Sequence, residues 1–253
     1  MIDVCVSTHD NLPDLPAVLD SLLPLKGSLI GRVVVFDNGS TDGGPQWVRR
    51  VHPWVEVVEL GRNGGPSVSR NAALREPGSP WVLLLDGDCS LSPGCLEALL
   101  KDRAENPAEV YSARVAYAGD PGLIYYDAGT AHFLGLLCLE NAGVPMAQAR
   151  AATRDPGAVS TSALLVSREA AVRAGLFDEG YFFFGEDLDF SLRLRAMGGR
   201  LRHVPDAVAL HRKPLKADRR SSLRCSRQGP NRWRTLLKVC RAGTLLRTAP
   251  MHL

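Results

Sequence analysis

Short apolar runs alternate with helically spaced ones along the first part of the chain. Residues 3–7 read as a strand, after which Leu15, Val18, Leu19 and Leu22 recur at helical spacing. Residues 32–36 form the next strand-like run, 45–51 a helix, 54–60 a third strand and 67–74 a second long helix. Residues 81–85 are apolar throughout, as a central strand buried on both faces must be. Strands and helices in strict alternation predict an α/β fold, a mostly parallel Rossmann-like sheet flanked by helices. In open sheets of this kind ligands bind beyond the carboxyl ends of the strands. That rule selects four loops: 8–11, 37–44, 62–66 and 86–90.

The pattern weakens after a helix at 93–103. Residues 109–117 alternate like a strand, with Tyr111, Ala113, Val115 and Tyr117 on one face, but 118–156 show no period and read as a variable loop or lid. Order returns with a strand at 159–166 and a helix at 168–174. Phe182-Phe183-Phe184-Gly185 then lead into Glu186-Asp187-Leu188-Asp189, where a helix begins that Gly198-Gly199 close. A last strand pair, 200–204 and 207–210, ends at His211. There are no internal repeats.

Composition changes this picture at the C-terminus. The chain has 253 residues, 45% hydrophobic, enough for one well-buried domain. Its charge of +3 is unevenly spread: residues 212–253 hold 12 Lys+Arg against the single acid Asp218, leaving 18 basic and 26 acidic residues in 1–211. We therefore expect one domain over 1–211 and a basic, helical tail over 212–253 that meets an anionic surface. Trp233, Leu236, Leu237 and Val239 among Arg232, Arg234, Lys238 and Arg241 would make an amphipathic helix suited to anionic membrane, the alternative being packing on the acidic body. No apolar run reaches membrane-spanning length, and Met1-Ile2-Asp3-Val4 does not open like a secretion signal. The six cysteines form no C-x-x-C pair, which fits reduced thiols. The expected location is cytoplasmic, peripheral at the membrane's inner face.

The candidate chemistry lies in the selected loops. Asp86-Gly87-Asp88 place two hard oxygen donors at a strand end, and can hold Mg2+ or Mn2+ or merely form an Asp/Gly turn. Asp37 opens Asp37-Asn38-Gly39-Ser40-Thr41-Asp42, which reads either as a base- and ribose-binding loop or as an Asx turn. Asn63, Gly64 and Gly65 precede a helix that carries Arg70, so amides and a guanidinium can gather at an anion. No G-x-x-x-x-G-K-[ST] phosphate loop is present. Glu186 and Asp187 offer a general base, or simply favour a helix N-terminus. His211 offers a third metal ligand or is an ordinary histidine.

In order and spacing these pieces resemble the family 2 glycosyltransferases of GT-A fold, particularly the bacterial rhamnosyltransferase-like branch. The resemblance covers residues 3–211. It rests on Ser7-Thr8, the DNGSTD stretch 37–42, the stretch 63–71, the DGD triplet, then Thr161 to Val166, Gly175 to Glu179, Phe183 to Asp189, Val204 to Ala207, and His211. It implies that Thr8, Asp37, Asn63, Gly64, Gly65, Arg70 and Asp86 line a nucleotide pocket, with Asp37 on the base. Asp88 would be the principal metal ligand, Asp86 its support and His211 a third. Asp187 would be the general base, with Glu186 and Asp189 shaping the acceptor side. The implied reaction is inverting transfer of a sugar from a nucleoside-diphosphate donor, dTDP or UDP favoured, to a hydroxyl of a glycan, glycolipid or small molecule. Two other readings compete: a degenerate nucleotide-sugar-binding scaffold, and a nucleic-acid binder acting through the tail. The second explains nothing in 1–211 and no nucleic-acid motif occurs, so nucleic acid is not expected as a partner.

Overall fold

The structure, a computed structural model, describes residues 1–152, 154–212 and 222–248. The N-terminal half runs β1 (Ile2–Thr8), α1 (Leu15–Leu22), β2 (Ile30–Asp37), α2 (Gly44–Val51), β3 (Glu56–Glu59), α3 (Pro66–Arg75), β4 (Trp81–Asp86), β5 (Cys89–Leu91) and α4 (Cys95–Glu105). It continues with β6 (Val110–Tyr117), β7 (Asp120–Tyr126), β8 (Gly129–His132), β9 (Leu136–Leu139), β10 (Ala163–Ser167), α5 (Arg168–Arg173), α6 (Glu186–Ala196) and β11 (Leu201–His211). Two helices, α7 (Ser222–Val239) and α8 (Ala242–Thr248), follow. One sheet has the order β3-β2-β1-β4-β10-β6-β11-β5, with β7 added beside β6. β8 and β9 form a separate hairpin.

The first four strands in that order are parallel, as the βα alternation predicts, and the rest are mixed: β10 is antiparallel to both β4 and β6, and β11 is parallel to β6. Period-2 alternation sends Val4, Val6, Val33, Val35, Leu83 and Leu85 to one core, and Cys5, Val34, Phe36, Val82 and Leu84 to the other. Two cores on opposite faces explain why 81–85 carry no polar residue. The strand pair expected at 200–210 is one continuous strand. Pro205 cannot donate to a ladder, and the register of β11 against β6 shifts between Val204 and Val208.

Three buried or half-buried ion pairs tie the layers together. Arg202 grips Asp102 of α4 through Nε (3.0 Å) and Nη2 (2.8 Å). Arg168 joins Asp3 to the last carbonyls of α3. Arg114 holds Asp127 at 2.7 and 2.9 Å, and Asp127 also takes His203 at 3.2 Å and Asn141 at 2.7 Å. That last network fastens the aperiodic segment 118–156 to β6 and β11; the surrounding donors hold the Asp127 carboxyl well below its ordinary range against the opposing effect of burial.

The basic tail divides in two. α7 packs on the body: Arg234 and Lys238 pair with Asp178, Lys238 also with Asp189, and Leu236 is buried. Its outward face leaves Trp233 and Leu237 exposed, as is Leu246 of α8. The rest of the expected tail, 213–221 and 249–253, lies outside the described residues. Among the described residues no helix is long and apolar enough to cross a membrane.

Candidate active site

Sheet register assembles the site. Thr8 stands opposite Asp37 on β2, and Ser7 opposite Asp86 on β4, so three of the selected loops leave the sheet at one edge. Gly87 N–H donates to Ser7 carbonyl at 2.8 Å, and a Cβ on Gly87 would stand 3.0 Å from that oxygen and from the Thr8 side chain. Glycine is what lets the triplet fold back onto β1. β5 then pairs antiparallel with β11, His211 opposite Cys89, which brings the imidazole beside the triplet.

Ligand atoms of Asp86, Asp88 and His211 lie within 4.8 Å of one another, and His211 Nε2 is 3.5 Å from Asp88 Oδ1. Two carboxylates and one imidazole at that spacing suit one divalent cation with open positions for oxygen ligands. Tyr125 of β7 lies beside this cluster, its ring 5.2 Å from that of His211. Nothing in the aperiodic sequence around it marked it out.

Arg70 links the triplet to the second acid cluster. Its buried guanidinium donates to Asp86 Oδ1 at 2.8 Å and lies 3.5 Å from Glu186 Oε1 and 3.6 Å from Asp187 Oδ1. The sequence placed Arg70 near an anion, and in the structure its guanidinium faces three carboxylates. Asn71 beside it clasps the backbone of Phe177, donating to its carbonyl at 2.8 Å and accepting from its N–H at 2.9 Å.

The two acids at the start of α6 differ. Glu186 is buried, its Oε2 has no hydrogen-bond partner, and burial followed by the neighbouring Asp187 charge pushes its carboxyl up to about 8. Asp187 is more open, its side chain 19% exposed against 6% for Glu186. It accepts from Thr161 Oγ1 at 2.6 Å and Ser160 Oγ at 3.3 Å. Burial raises the Asp187 carboxyl also, with Arg70 opposing. Ser160 and Thr161 were not among the residues singled out for chemistry. Asp189, expected to shape the acceptor side, accepts from Lys238 of α7 at 3.0 Å and from Arg193 of its own helix at 2.8 Å.

Two other loops complete the edge. Asp37 Oδ2 accepts from Gly39 and Ser40 N–H at 3.0 and 2.9 Å, so the Asx turn does form, with Asp37 buried in it. Asn63 Oδ1 accepts from Gly65 N–H at 3.0 Å, and a Cβ on Gly65 would fall 2.1 Å from the Phe182 carbonyl oxygen. The 63–65 loop therefore abuts the Phe182–Phe184 turn.

The family model for glycosyl transferase family 2 matches residues 3–165. The chain belongs to glycosyl transferase family 2. Among curated relatives of this family 2 enzyme, the N-acetylglucosaminyl-diphospho-decaprenol L-rhamnosyltransferase of Mycobacterium tuberculosis is 31% identical over 237 residues, covering 84% of this chain and 76% of the relative. Among solved structures, GalNAc-T7 with UDP, GalNAc and Mn2+ aligns with a TM-score of 0.72 at 16% identity, over 94% of this chain and 47% of the other. The mannosyltransferase PcManGT of Pyrobaculum calidifontis, with GDP-Man and Mn2+, aligns at 0.67 and 20% identity, over 96% and 66%. The family 2 chain thus spans about half of the first of these structures and about two thirds of the second. The fold is GT-A, and the protein is a glycosyltransferase.

Proposed function

We propose that this family 2 glycosyltransferase transfers a sugar from a pyrimidine nucleoside diphosphate, dTDP or UDP, to a hydroxyl acceptor with inversion at the anomeric carbon. The observation that carries the reading is the juxtaposition of two charge centres through Arg70: Asp86, Asp88 and His211 on one side, Asp187 on the other. Asp88, Asp86 and His211 would hold Mg2+ or Mn2+, which when bound neutralises charge developing on the leaving diphosphate. Asp187, held by Thr161 and Ser160, takes the proton from the acceptor hydroxyl as that oxygen attacks the anomeric carbon. Glu186 sits behind it against Arg70. Thr8, Asp37 and Asn63 to Gly65 line the nucleotide side, with Asp37 toward the base. The relative with a decaprenol-linked substrate in its name supports a lipid-linked acceptor.

The test is a thermal-shift panel of UDP, dTDP, GDP and CDP with and without Mn2+. UDP or dTDP should raise the melting temperature in the presence of Mn2+ more than CDP or GDP does, and Asp88→Asn should abolish the metal-dependent part. Binding by that variant equal to wild type would remove Asp88 as the ligand.

For a lipid-linked acceptor the outward face of α7 and α8 is the natural contact. Trp233, Leu237 and Leu246 are exposed there, beside Arg232, Arg241 and Arg247. We expect the protein to co-sediment with phosphatidylglycerol vesicles and the Trp233→Ser/Leu237→Ser double variant to bind at least about tenfold more weakly. Equal binding by the two would dismiss the contact.

A further inference from the structure

α6 begins in an awkward place. Its acids follow directly on a turn in which Phe184 has φ +66° and Gly185 φ +100°. Left-handed backbone is easy for Gly185 and strained for a bulky aromatic such as Phe184, so neighbouring groups must over-determine it. Gly185 is also the residue before the helix, and no side chain caps α6. On one side the turn is limited by the 63–65 loop, where Gly65 runs against the Phe182 carbonyl.

On the other side stands α7. Asn231 is buried, and its Nδ2 donates to the carbonyls of both Phe183 (2.9 Å) and Phe184 (2.6 Å), the two peptide groups that precede Gly185 and the acids. The helix around it is registered by Thr235, whose hydroxyl donates to the Asn231 carbonyl at 3.1 Å and lies 2.9 Å from the Tyr181 hydroxyl. Tyr181 opens the same turn. One amide group thus clamps two successive carbonyls of a strained turn from a helix that lies beyond residues 3–165, the span of the family match.

We propose that Asn231 is a positioning residue for the reaction: its carboxamide fixes the Phe183–Phe184 turn and thereby the direction in which the first turn of α6 presents Asp187. The inference rests on the reading of Asp187 as the base. It makes α7 part of the catalytic unit, with the apolar face described above as its other side. Displacing a reacting group by about 1 Å can cost on the order of a hundredfold in rate, so a small release of this turn has a large consequence.

Asn231→Asp keeps the shape and removes both donors, and Asn231→Ser is the alternative should the first fold poorly. In the chain of residues 1–253 we expect kcat for nucleoside diphosphate release from the preferred sugar nucleotide to fall roughly ten- to a hundredfold. The thermal shift given by nucleoside diphosphate and Mn2+ should change far less than kcat, because Asn231 bonds the Phe183 and Phe184 carbonyls and only Phe182 meets the 63–65 loop. Amide hydrogen exchange over 183–190 should quicken by about tenfold or more, a readout that needs no turnover. Arg234→Ala removes one half-exposed pair with Asp178 while Lys238 keeps its own, so α7 and the Asn231 bonds stay in place and kcat should be as in wild type. Unchanged kcat and unchanged exchange in both Asn231 variants overturn the proposal. So does a kcat loss that Arg234→Ala reproduces at the same melting temperature. If wild type turns over no sugar nucleotide while exchange at 183–190 still responds to Asn231, the assigned reaction fails and the clamp stands.

Discussion

Asp187→Asn is expected to lower kcat by roughly 10²–10⁴-fold while leaving the affinity for nucleoside diphosphate intact. The loss follows from chemistry: an amide cannot take the proton that the acceptor hydroxyl must give up as it attacks. Retained affinity follows from geometry, because the partners of Asp187 are Thr161, Ser160 and Arg70 and none belongs to the 37–44 or 63–65 loops. Asn keeps an oxygen that can accept from Thr161, so the fold should be little affected. The pH profile sharpens the test. A base must be ionised to act, and burial raises the Asp187 carboxyl above its ordinary value, so the wild-type acid limb should lie above about 3.9, the ordinary aspartate value. Burial sets this limb against the opposing Arg70 charge, and Glu186, which holds its proton up to about 8, is uncharged there, so Glu186→Gln should leave the limb in place. Initial rates of transfer across pH, with wild type and both variants, decide the matter. Transfer by Asp187→Asn at the wild-type rate would end its assignment as the base.

The parallel half of the sheet was legible because both of its faces are covered, and a strand with two apolar faces, like 81–85, has one reading. β5, β7, β8 and β9 were not. β5 is three residues long, and β7 has one end exposed and the other buried, so no period survives along it. The candidate site was legible as motifs but not as an assembly. The DGD triplet and His211 meet only because β11 runs past its bulge to pair with β5, a register no local pattern encodes. Arg70 shows the same limit. Its place after a glycine loop suggested an anion, and the anions turn out to be three carboxylates of the protein itself. Asn231 carried no signal at all, one amide among arginines in a segment whose charge pointed outward. In the structure Arg234 and Lys238 of that segment point inward, to Asp178 and Asp189.

Arg70→Met is expected to destabilise the protein by about 3–5 kcal/mol near pH 8, because the substitution keeps the side-chain volume and leaves buried acid without its cation. Glu186 and Asp187 are adjacent, Asp86 joins them through the same guanidinium, and among the described residues no other ion pair engages any of the three. The deficit should shrink as pH falls. The Glu186 carboxyl already sits at about 8, raised from 4.5 by burial and by the Asp187 charge, with Arg70 pulling it down. The folded state therefore binds this proton where the unfolded state has released it, and stability contributed by this group falls as pH rises between those values. Without Arg70 the carboxyl rises further and keeps its proton at pH 8, so the unpaired charge there is chiefly that of Asp187, which burial already raises and which takes up a proton as pH falls. Urea unfolding of wild type and Arg70→Met at pH 5.5 and pH 8, with metal chelated, measures the difference. A smaller deficit at pH 5.5, and partial recovery at pH 8 in Arg70→Met/Asp187→Asn, are the expected results. A deficit equal at both pH values would mean that Arg70 contributes packing rather than charge, and the link between the two acid clusters would lose its electrostatic basis.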